Sequence, residues 1–176
     1  MHMSATKKLT VSAILTALGS ALMIVGAMIE VLDLTVCAAV SLFMVFIYLE
    51  IGPPYTYLVW ICTSLCTALL YSASIIWVEY FLVFGIYPIL KSFVERLPRP
   101  LWLLVKLFYI NAIVLALMFI SERVLGIPFF EDGAMALKII TYVLISVAFV
   151  AYDMFITVMV KVYIARVRPK ISKFLK

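Results

Sequence analysis

The chain has 176 residues, 67% of them apolar and 13% charged, with a net charge of +5 and a mean hydropathy of +1.23. Soluble domains carry roughly 45–50% apolar and about 25% charged residues, so a water-soluble globule is excluded. No polar stretch is long enough to form a catalytic domain outside a membrane, and six glycines and seven prolines are too few for a low-complexity chain. The composition reads as a single all-α integral membrane domain that uses lipid as its solvent.

A spanning helix needs about 20 mostly apolar residues, and six segments qualify: roughly 9–29, 35–51, 55–72, 75–95, 101–121 and 135–160. The first follows Lys7 and Lys8 and exceeds the 7–15 apolar residues of a cleaved signal, so it reads as a retained helix. It carries Ala13, Ala17 and Ala21 at a strict spacing of four, with Thr16 and Ser20 nearby. Residues four apart share a helical face, and small side chains there let another backbone approach closely. The stripe serves either packing among the six helices or docking on a separate membrane subunit.

Glu30 and Asp33 separate the first two spans, and Glu50-Ile51-Gly52-Pro53-Pro54 separates the second from the third. Spans two and three are short, so a five-span count with one re-entrant segment stays open. Cys37, Cys62 and Cys66 all lie inside spans; Cys62 and Cys66 are four apart, which is not a C-x-x-C redox or metal pattern, and they read as small packing residues. Tyr71-Ser72-Ala73-Ser74 marks the next break. The fourth span opens on Trp77-Val78-Glu79-Tyr80 and carries Pro88, which is expected to kink it and free the carbonyl of Phe84. Trp77 and Tyr80 suit an interfacial aromatic belt. Glu79 lies near the level of Glu30 and Asp33. Water exposure at headgroup level explains it, as does an outward cavity for a small cationic or hydrogen-bonding ligand.

Leu97-Pro98-Arg99-Pro100 ends the fourth span. In the fifth, Lys106 lies about 9 Å past Pro100 by helical rise. Asp153 in the sixth lies about 12 Å before Lys161. Charges inside a span are costly, and a Lys106–Asp153 pair would neutralise both; proton or ion relay is the alternative. Asn111, five residues deeper than Lys106, falls near the midplane, where an amide needs a partner helix or a ligand.

Six spans place both ends on one side. With the amino end inside, twelve of the fourteen Lys and Arg residues are cytoplasmic, and only Arg123 and Lys138 are not. The positive-inside rule then gives an N-in, C-in six-helix bundle. The basic tail, residues 161–176, lies against the anionic inner leaflet, which accounts for its charge without nucleic acid.

Enzyme motifs are missing. His2 is the only histidine, and no P-loop or G-x-G-x-x-G sequence is present. The chain therefore reads as a non-enzyme with no cofactor and no metal, and any energised activity must come from a partner.

Six spans in under 200 residues, both ends inside, and the Ala13-x-x-x-Ala17-x-x-x-Ala21 stripe after Lys7-Lys8 together resemble an S component of an energy-coupling factor (ECF) transporter. That resemblance implies capture of a vitamin or similar micronutrient from outside, followed by docking of the alanine stripe on a membrane T component driven by two ATPases. It also implies a ligand site in the outer half that would include Glu30, Asp33, Trp77, Glu79 and Tyr80; Asn111 joins them only through the reading of an outward cavity. The Tyr87-Pro88-x-x-Lys91 and Tyr163-x-x-Arg166-x-Arg168-Pro169 stretches also resemble a group of small bacterial membrane proteins. A different class, an MreD-like scaffold of cell-shape assembly with no transported ligand, matches the size, charge and span count. A self-contained secondary transporter is the third reading.

Overall fold

The computed structural model describes residues 4–29, 32–126 and 135–170; the side chains of residues 99, 100, 103, 125 and 135–137 are also outside the description. All of the regular structure among these residues is helical. Six helices follow one another: α1 (Ala5–Met28), α2 (Asp33–Glu50), α3 (Pro53–Leu70), α4 (Ile76–Val94), α5 (Arg99–Ile120) and α6 (Met135–Val162). They run close to the six apolar segments of the sequence. Glu30, Glu131 and Asp132 lie outside the described residues.

The helix ends follow from local chemistry. The Ser4 hydroxyl accepts the Lys7 N–H at 3.3 Å and caps α1. Asp33 occupies the first turn of α2, where the helix dipole favours an acid. The α2–α3 turn needs a positive φ, supplied by Gly52 at +117°. Pro53 and Pro54 then start α3, where the missing N–H has no helical acceptor anyway. α5 and α6 each run on into a π-helical turn, Ser121–Leu125 and Tyr163–Val167.

Five helices are long and apolar enough to cross a membrane. The exception is α3, whose two prolines, two tyrosines and buried Thr56, Thr63 and Thr67 dilute its apolar run. Its 18 residues still rise about 27 Å, and it is continuous, not re-entrant in shape. Three of its hydroxyls bond to the preceding turn: Thr56 Oγ1 donates to Gly52 O at 3.1 Å, Ser64 Oγ to Trp60 O at 2.8 Å and Thr67 Oγ1 to Thr63 O at 2.9 Å.

α2 lies at the centre and contacts α1, α3, α4 and α6, burying Cys37, Val40, Ser41, Met44 and Ile47. α1 packs on α2 and α3 through Ser12, Gly19, Ser20, Met23, Gly26 and Ala27. Glycine is required for that approach: a Cβ at Gly26 would sit 3.0 Å from Val36 and one at Gly19 3.1 Å from Val40. Ala13, Ala17 and Ala21 lie on the exposed side of the same helix. Internal packing of α1 therefore uses a different small-residue face.

Candidate functional site

Two polar groups occupy the bundle, one on each side of an irregular turn in α4. Residues Tyr80–Phe84 form a π-helical turn, and Pro88 follows in the first turn of the segment Tyr87–Val94. Pro88 has no N–H for the Phe84 carbonyl, which instead accepts the Tyr152 hydroxyl at 3.2 Å. Two neighbouring carbonyls also take side-chain donors: Phe81 O accepts Trp60 Nε1 at 3.0 Å, and Leu82 O accepts the Tyr109 hydroxyl at 2.7 Å. α4 is thereby tied to α3, α5 and α6. An aromatic layer completes the joint, with Tyr87 stacked on Tyr109 (5.7 Å between centroids) and edge-on to Phe149 (4.9 Å).

Beyond this joint, toward the basic end, lies an ion-paired hub centred on Asp153. Its Oδ2 meets Lys106 Nζ at 2.7 Å, while Oδ1 accepts the Tyr87 hydroxyl at 2.6 Å and pairs with Lys91 Nζ. Lys91 also donates to the Asp153 carbonyl at 3.0 Å and reaches Glu95 Oε1 at 3.1 Å, with Lys106 3.8 Å from the same oxygen. The structure brings Lys106 and Asp153 together, within a group of two ammoniums and two carboxylates with no net charge. Lys91, Tyr87 and Glu95 were not expected there. Their spacing of four along α4 puts them on one face, which is the signal that could have found them.

On the other side of the joint, Glu79 and Asp33 lie close enough to repel each other electrostatically, with Cys37 near both. The Cys37 thiol is buried and donates to Ile76 O at 3.8 Å. Glu79 Oε2 is sealed from solvent with no hydrogen-bond partner, as is Trp77 Nε1. Tyr80 is completely buried, and its hydroxyl lies beside that of Thr63, which is likewise sealed from solvent. Among the described residues Glu79 forms no ion pair, whereas Asp153, Glu95 and Glu50 all do.

Asn111 stands apart from this group. It is exposed on the outer surface of α5, donates to Leu107 O at 2.7 Å and accepts the Tyr142 hydroxyl of α6. Sequence depth carries no information on which way the helix is turned.

Two clefts stand out. One of about 210 Å³ runs between α2, α4 and α6 beside the hub. The other, about 470 Å³, is an open apolar groove on the outer face of α6. Neither is lined by Glu79 or its neighbours. Among the described residues no group of three or more His, Cys, Asp or Glu side chains could hold a metal ion. Comparison with family models, curated proteins and solved structures finds no match to this chain.

Proposed function

We propose that the chain is the substrate-capture subunit of an ECF-type micronutrient transporter, held in a plasma membrane with both termini on the cytoplasmic side. One observation carries the reading: Glu79 Oε2 is buried inside α4 without a hydrogen-bond partner, and Glu79 forms no ion pair among the described residues. Burying an unpaired carboxylate costs several kcal/mol, and a ligand that brings an ammonium or N–H donor offsets that cost. Asp33 lies near the same carboxylate, and Trp77 Nε1 on the same helix is also buried without a hydrogen-bond partner. Positive-inside orientation turns this end outward. No side chain of the chain hydrolyses or transfers anything in this scheme; it binds, and separate ATPases supply the energy.

The exposed Ala13-Ala17-Ala21 face supports the second half of the proposal. A T component could pack against it by van der Waals contact, the main attraction left in lipid. Two measurements test the reading. A thermal-shift screen of the purified protein against vitamins and their precursors is expected to yield a stabilising ligand. Ala17→Trp is expected to leave that ligand binding and the fold intact while abolishing co-purification with a T component. A screen without any stabilising ligand, combined with recovery of cell-wall assembly proteins on purification, favours the scaffold instead.

A further inference from the structure

We propose that the cleft between α2, α4 and α6 holds the headgroup of an anionic phospholipid. The cleft lies at the end of the bundle that bears the basic tail, and it is walled by apolar groups including Val45, Pro88 and Ile156. Those walls suit a glycerol and the first methylenes of an acyl chain better than a free ion. Its polar lining is Tyr48, Lys91, Ser92, Glu95, Thr157 and Lys161.

Charge selects the headgroup. Lys91 and Glu95 belong to the neutral hub, where each is already paired. The Thr157 hydroxyl is spent on the Asp153 carbonyl at 2.9 Å. Nearby, Glu50 is matched by Arg168, with Nε 3.0 Å from Oε1. Lys161 forms no ion pair among the described residues and is exposed. The cleft therefore carries one surplus positive charge, at its rim. A phosphate without a cation of its own matches it, whereas the choline or ethanolamine ammonium of a zwitterionic lipid is repelled.

The hydroxyls of Tyr48 and Ser92 lie 2.9 Å apart across α2 and α4. Ser92 donates its one proton to Ile89 O at 2.7 Å and accepts that of Tyr48, so this pair closes the polar wall of the cleft without a spare donor. The site thus offers one ammonium above an apolar floor, and charge alone selects the headgroup. The proposal stands whether or not the chain captures a nutrient.

The test uses the full chain in detergent, titrated with phosphatidylglycerol, phosphatidylcholine or inorganic phosphate, with bound lipid counted by native mass spectrometry. Phosphatidylglycerol is expected to bind about fivefold more tightly than phosphatidylcholine, as one ammonium near a membrane surface supplies. Lys161→Gln should remove that preference without changing phosphatidylcholine binding. Lys138→Gln at the opposite end of α6 should change nothing. Lys161 is exposed, so its variant tests the proposal in a folded protein. Equal binding of the two lipids, an unchanged preference in Lys161→Gln, or stabilisation by inorganic phosphate alone equal to that by phosphatidylglycerol overturns the proposal.

Discussion

Asp153→Asn is the most informative perturbation of the inner hub. The wild-type group contains Lys91 and Lys106 against Asp153 and Glu95, with side-chain exposures of 5% and 10% for the lysines and 16% for Asp153. Substitution leaves two buried ammoniums facing one carboxylate, Glu95, which is 3.1 Å from Lys91 but 3.8 Å from Lys106. Removing one partner of a buried pair costs about 3–5 kcal/mol, and the surplus charge here is one. Adding Lys106→Met restores neutrality: Lys91 and Glu95 remain as an adjacent pair. The double variant is therefore expected to be more stable than Asp153→Asn alone, with a coupling energy of about 1–3 kcal/mol. Lys106→Met by itself should be milder, because Asp153 keeps Lys91 and Tyr87 while the half-exposed Glu95 can hydrate. Reversible unfolding of the purified protein in mixed micelles measures all four states of the cycle. Additive single effects would refute the shared hub.

Gly85→Ala places a Cβ against Cδ1 of Trp60, an indole already fixed by its bond to Phe81 O and by stacking on Phe81 at 4.6 Å. Moving the ring disturbs that bond and stacking, so a loss of about 1–3 kcal/mol is expected, read as a lower unfolding midpoint together with a changed tryptophan emission. For topology, a thiol reagent added from outside should label Asp132→Cys and spare Lys173→Cys in a background without native cysteines; the reverse pattern overturns the orientation.

Much of the architecture was legible because lipid imposes so strong a demand. Apolar runs of spanning length, broken by Gly52-Pro53-Pro54 and Pro98-Arg99-Pro100, leave few alternatives to helices with these bounds. Depth counting likewise placed Lys106 and Asp153 at matching levels. Rotation about each helix axis was not legible. In water a helix shows its buried side as an apolar stripe, but in lipid both sides are apolar. α1 offers two small-residue faces, Ser12-Thr16-Gly19-Ser20 and Ala13-Ala17-Ala21, and only tertiary contact distinguishes them. The same blindness assigned Asn111 to the outer group when its side chain lies on the outer surface. Lys91 was missed for a different reason. Counting it among the cytoplasmic cations ignored that its long side chain reaches Asp153 on α6. Pro88 announced the free carbonyl of Phe84, but no residue type announces the π-helical turn at Tyr80–Phe84, whose carbonyls accept from Trp60, Tyr109 and Tyr152.

The central claim is that the sealed carboxylate of Glu79 receives a ligand, and Glu79→Gln tests it. The change keeps the shape and removes the charge, so the unliganded protein should be as stable as wild type or more stable, since an unpaired buried carboxylate is costly. Affinity for the ligand found in the thermal-shift screen should fall by at least tenfold, the loss of about 1.4 kcal/mol or more of charge-assisted hydrogen bonding. Isothermal titration of wild type and variant with that ligand makes the comparison. Unchanged affinity, with Glu79→Gln folded and stable, would contradict a ligand site at Glu79.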